Sequence, residues 1–139
     1  MIKAMPNLEA RIYIGSSYGY GADSYTEEEL RDAISQFQTQ SEPSERTSVR
    51  ITKTGFLYMH YWEEGWEIGI VNYPRFPLTF DGLSVFANGL ADSLLRRFSQ
   101  NRISVILADT IYLHEQENAD ESPVHLLQGT VTPVGELAA

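Results

Sequence analysis

Leu83, Phe86, Leu90, Leu94 and Phe98 recur every three or four positions. That spacing predicts an amphipathic helix near 82–98 whose apolar stripe needs a partner surface. The chain supplies one. Residues 10–15 (AlaArgIleTyrIleGly) and 102–109 (ArgIleSerValIleLeuAlaAsp) alternate apolar and polar side chains, the pattern of half-buried strands. A helix stripe facing strands of this kind defines a layered α+β domain.

The other elements follow from local signals. Thr26 with Glu29 forms a capping box, and Glu27, Glu28 and Glu29 suit the positive end of a helix. Leu30, Ala33, Ile34 and Phe37 share one face, so a first helix runs near 27–38. The loop 16–25 before it is rich in glycine and tyrosine. Residues 48–53, 56–61 and 66–72 read as a three-strand meander, with turns at Gly55 and at Glu63–Gly65. Gly69, inside the third strand, hints at close backbone approach. Asp81 is placed to cap the second helix. ThrIleTyrLeuHisGlu (110–115) continues or pairs with the strand before it.

The expected fold is therefore an antiparallel sheet of about five to six strands with two helices on one face, a ferredoxin-like layout with an extra strand. Residues 1–116 form a single α+β ligand-binding domain. Residues 117–139 are a C-terminal extension that adds a short strand near 125–132.

Composition narrows the function. Ten basic residues face 19 acidic ones, a net charge of −9. That disfavours long nucleic acid, which demands a basic face. No apolar run approaches the roughly 18 residues of a membrane span. The N-terminus lacks the apolar stretch of a secretory signal. Cysteine is absent, which excludes disulfides, thiol catalysis and thiolate metal sites. The three histidines, His60, His114 and His125, have no second histidine at ligand spacing, so no metal or other cofactor is expected.

Catalytic motifs are missing too. There is no GxSxG, no P-loop and no paired-histidine phosphoesterase signature. Glu63, Glu64 and Glu67 surround an expected turn and offer a paired-carboxylate acid–base site, but acids at turns are usually just solvated. Arginines and aromatics stand out instead. Arg50 and Arg102 lie in otherwise apolar strands, and Arg75 sits between prolines beside Phe76. Arginine forks match phosphate, and aromatic faces stack on bases. From residue types alone, pairing of those arginines with the acids and a core role for Phe76 is the simpler account.

A longer pattern bears on the choice. IleGlyIleValAsnTyrProArgPhePro (68–77), a helix of about 16 residues by its apolar spacing and GlnAsnArgIleSerValIle (100–106) together resemble the first type of phage Thoeris anti-defence protein. ArgIleTyrIleGly (11–15) with its acidic helix start resembles it as well. The resemblance implies a binding protein without catalysis. Such sponges sequester glycocyclic ADP-ribose signals made by bacterial TIR-domain proteins, in the cytoplasm of the infected host. They assemble as homodimers or homohexamers, and some also bind cyclic oligonucleotides at a second site. Carried over by position, Phe76 stacks on a base, Arg102 and Arg50 hold phosphates, Asn88 is a weaker match, and Arg75 serves a second site or the subunit interface. The glycine- and tyrosine-rich loop 15–25 and the longer tail depart from that family. A small nucleotide phosphodiesterase and a structural subunit of a phage assembly are the alternatives.

Overall fold

Strand alternation decides which side of the sheet becomes the core. In the computed structural model, which describes residues 1–4, 6–19, 23–71, 77–108 and 110–116, strand β1 (Glu9–Gly15) buries Ala10, Ile12 and Ile14 and turns Arg11 outward. Helix α1 (Glu27–Gln40) follows, then strands β2 (Val49–Tyr58) and β3 (Tyr61–Val71), helix α2 (Phe80–Arg97), and strands β4 (Arg102–Leu107) and β5 (Thr110–Glu115). All strand pairings are antiparallel, in the order β2-β3-β1-β4-β5. The first four strands keep the split βαβ arrangement of ferredoxin-like folds, and β5 extends one edge. The α+β class and the five-strand antiparallel sheet match the sequence reading. The short strand read near 125–132 lies outside the described residues.

The core is one layer of side chains between the helices and one sheet face. Trp66, Ile68 and Ile70 from β3 and Ile103, Val105 and Leu107 from β4 join the buried residues of β1. Leu30, Ala33 and Ile34 of α1 meet them, as does the whole expected stripe of α2, from Leu83 to Phe98. Phe37 packs edge-on against Phe86, with centroids 5.4 Å apart. Among the described residues, no helix is long and apolar enough to cross a membrane.

Caps set the helix starts. Thr26 Oγ accepts from the Glu29 amide at 3.2 Å, the expected cap, and donates to the Glu29 carboxylate at 3.3 Å. At α2 the structure corrects the reading. Thr79, in extended conformation, accepts from the Gly82 amide at 3.0 Å. Asp81 instead sits within the first turn, where its charge still faces the positive helix end.

The meander is corrected as well. Residues 49–58 form one ten-residue strand straight through Gly55. The single turn is at Met59 and His60, both at positive φ (46° and 74°), as a two-residue hairpin requires. Gly55 is a space-giver rather than a turn residue. The Trp62 ring lies where its Cβ would stand. Glu63, Glu64 and Gly65 are accordingly strand residues of β3. The hairpin outruns β1, which pairs only with Gly65–Val71. Its projecting tip exposes Leu57, Met59 and Trp62.

Gly65 lies in β3 opposite Gly15, and a Cβ there would meet the Ile14 carbonyl oxygen and the Phe56 ring. Backbone cannot step aside as a side chain can. Gly65→Ala is expected to cost about 1–3 kcal/mol by overpacking, read by denaturant titration. Gly69→Ala is expected to cost far less, because its Cβ would meet only the movable end of Arg50.

Candidate functional site

The second face of the sheet carries no helix among the described residues, and its side chains fall into cross-strand rows. Arg50, Gly69, Arg11 and Ile106 form one row. Thr52, Glu67, Tyr13 and Ser104 form the next, about 7 Å along the strands. Then come Thr54, Gly65 and Gly15, and finally Phe56 with Glu63.

The paired glycines leave a strip of backbone with no side chains of its own, a trough that neighbouring side chains cover. Its walls lean over the floor. The Glu63 carboxylate lies against Gly15, and the Phe56 ring lies against Gly65. Tyr13 meets Phe56 edge-to-face, at 6.3 Å and 81°. Glu67 stands in the same row as Tyr13, with its carboxylate 3.8 Å from Arg11. Arg11 also holds Glu9 at 3.0 Å, and Glu9, then Tyr13 and Glu67, raise its pKa. The Arg50 guanidinium lies over Gly69, the close approach that a glycine within a strand suggested. The trough thus offers two carboxylates and two aromatic rings at one end and two guanidiniums at the other. A cation with an aromatic or anionic appendage suits such a surface.

The floor is pinned from the core side. Tyr25, 3% exposed, donates its phenol proton to the Gly15 carbonyl. Burial first, and the charge of Glu63 second, raise the Tyr25 pKa, so the phenol keeps its proton and the bond. Tyr25 stacks on Phe98 at 3.8 Å and 15°.

The residues expected to bind phosphate and base do not converge. Arg50 and Arg102 share the open face but stand about 20 Å apart, three strands over and four residues along. Arg102 places Nε 3.0 Å from Glu115. Asn88 lies on the opposite side of the sheet. It donates to the Ser84 carbonyl at 3.0 Å, and its amide oxygen is 2.8 Å from His114 Nε2. Arg75 and Phe76 lie outside the described residues. Sequence reasoning set Glu63 and Glu67 aside as turn acids and missed Tyr13 and Phe56 as partners. The spacing of Gly15, Gly65 and Gly69 within strand-like segments was the available signal. Among the described residues no three histidines, aspartates or glutamates gather as a metal site.

No family model matches the sequence, and no curated protein matches it. Two solved structures share the fold. One is a phage SAM lyase in complex with S-methyl-5′-thioadenosine, 17% identical, covering 86% of this chain and 99% of that one, with a TM-score of 0.56. The other is a phage SAM lyase in the apo state, also 17% identical, covering 84% and 97%, with a TM-score of 0.59. These structures correct the functional reading. The solved chains that share this fold are an enzyme, not a sponge for cyclic ADP-ribose signals. Neither the sequestering role nor the absence of catalysis stands.

Asn88 and His114 carry a measurable signature. The Asn88 nitrogen donates to Ser84, so its oxygen faces His114 and Nε2 carries the imidazole proton. Burial lowers the His114 pKa from 6.5, partly offset by Asp92. The unfolded chain then takes up a proton before the folded one does, and stability is lost as pH falls below the unfolded pKa. The melting temperature should decline as the pH falls from 6.5, and His114→Gln should flatten the upper part of that decline.

Proposed function

We propose that this chain is an enzyme that cleaves a sulfonium nucleoside of the S-adenosylmethionine class, with the glycine-floored trough as its binding site. One observation carries the reading. Glu63, Glu67, Tyr13 and Phe56 converge on a cation-suited trough in a fold shared with a phage SAM lyase over nearly its whole length. A sulfonium centre is a soft, poorly hydrated cation, and carboxylates and aromatic faces recognise such groups. The two guanidiniums suit the substrate carboxylate.

The chemistry follows from taking S-methyl-5′-thioadenosine, the compound in complex with the phage SAM lyase of the same fold, as the product. Leaving that thioether requires breaking the bond between sulfur and the γ-carbon of the amino-acid arm. The bonding pair goes to sulfur, which becomes neutral. Closure of the substrate's own carboxylate oxygen onto the γ-carbon balances the step without water and without a base. The protein then has to fold the arm into an attacking geometry and exclude solvent. A carboxylate beside the sulfur favours the charged substrate over the neutral product. Its contribution is capture and release rather than lowering the barrier.

The test is incubation with S-adenosylmethionine, with products followed by mass spectrometry. S-methyl-5′-thioadenosine should accumulate with turnover. Glu63→Gln and Glu67→Gln should each raise KM about tenfold, the equivalent of roughly 1.4 kcal/mol of charge pairing, with circular dichroism unchanged. Recovery of intact substrate after long incubation with folded protein would overturn the reading.

A further inference from the structure

The charged side chains around the trough fall into two groups. Glu67 lies 3.8 Å from Arg11, and Arg11 holds Glu9 at 3.0 Å, so these three satisfy one another. Glu63 and Arg50 stand apart. Among the described residues, neither side chain makes a hydrogen bond or an ion pair. Glu63 is nonetheless half-buried, while Arg50 is exposed.

Both unpaired heads lie on glycine. The three atoms nearest to where a Gly15 Cβ would stand belong to the Glu63 carboxylate, and the three nearest at Gly69 belong to the Arg50 guanidinium. Glycine weakens a strand, and within one it often marks a place where another group comes close to the backbone. A charge that is merely solvated needs no such seat, because water accepts it in any rotamer. A seat that holds an unpaired head in one place lowers the ordering cost when a ligand meets it. Gly69 pairs with Arg11, four residues before Gly15 on β1, so the two heads stand roughly 14 Å apart along the strands. The amino-acid arm of a sulfonium nucleoside spans about 5 Å from sulfur to carboxylate. Ion contacts of about 4 Å at each end bring the total close to that separation.

We infer that Glu63 and Arg50 are the specificity-determining pair of this site. Glu63 selects a ligand with a positive centre, and Arg50 selects one whose arm ends in a carboxylate. Glu67 is a positioning residue that acts through Arg11. The inference rests on the sulfonium-cleaving reading for its ligand class, but it is scored on binding preference rather than on turnover. It also separates the two carboxylates of the trough, since the charge of Glu67 is already answered and that of Glu63 is not.

The full-length protein is titrated by isothermal calorimetry with three nucleosides that the proposed step cannot cleave. Sinefungin keeps the arm and has an ammonium on carbon in place of the sulfonium. S-adenosylhomocysteine keeps the arm but has no positive centre beside it. Decarboxylated S-adenosylmethionine keeps the sulfonium but lacks the carboxylate. Sinefungin should bind roughly tenfold more tightly than either of the others, the scale of one charge-assisted contact. Glu63→Gln should erase the preference over S-adenosylhomocysteine and keep the preference over the decarboxylated compound. Arg50→Gln should do the converse. Gly15→Ala displaces the movable end of Glu63, so it should reproduce Glu63→Gln without lowering the melting temperature, and should add nothing to it in the double variant. Glu67→Gln should weaken all three nucleosides by a common factor. Turnover of S-adenosylmethionine is read separately. Preferences that shift as described without turnover uphold the assignment and overturn the cleavage. Equal binding of sinefungin and S-adenosylhomocysteine by the unaltered protein, or a preference that survives Glu63→Gln or Gly15→Ala, overturns the assignment, and turnover then leaves the cleavage standing.

Discussion

Tyr25 is the joint on which the rest of the structure depends. Its ring stacks on Phe98 at the end of α2, lies 5.3 Å from Trp66 of β3, and meets Tyr18 of the preceding loop at 5.6 Å. Its hydroxyl holds the carbonyl of Gly15, the last residue of β1. One side chain thus ties a loop, a helix end and two strands at the place where the sheet's central strand stops. Gln100 reinforces the joint by donating to the Ser17 carbonyl at 2.6 Å from the turn after α2. Buried aromatic clusters of this kind are stiff because stacking fixes ring orientation as well as position. The trough over Gly15 and Gly65 inherits that stiffness from below.

Much of the fold was legible because the burial pattern and the sequence pattern are the same thing. The stripe Leu83 to Phe98 and the alternation of β1 and β4 each point to the single layer that they occupy. The turn was illegible for a local reason. Glycine marks both a turn and a close approach, and at Gly55 it marks the second. The real turn uses Met59 and His60 in place of the Asn-Gly or Asp-Gly pair that marks a two-residue hairpin, so that signal was missing. Moving that turn by four residues also merged two expected strands into one.

The site was less legible than the fold. Arg50 stood out as a charge in an apolar strand, and it does sit at the trough's cationic end. The carboxylates and rings are brought together only by register. Tyr13 and Phe56 are 43 positions apart in the chain and belong to strands that do not touch, with β3 between them. The resemblance drawn from residues 68–77 and 100–106 had its most specific part in the AsnTyrProArgPhePro block, of which residues 72–76 lie outside the described residues, and its other matches include Ile68, Ile70, Ile103 and Val105, all buried in the core. Such residues report how a sheet packs rather than what it binds.

The division of labour along each strand has a further consequence. One parity of positions in β1, β3 and β4 builds the core, and the other parity builds the open face. Substitutions on the two sides are therefore nearly free of one another, so the binding surface can be rewritten while the packing stays fixed. Register is the one quantity that both sides share. A slip of a single residue would put Arg11, Tyr13 and Glu67 into the core and expel Ile12 and Ile68 into water. Diversification of such a protein can travel far through side chains, but it cannot pass through a shift of its strands.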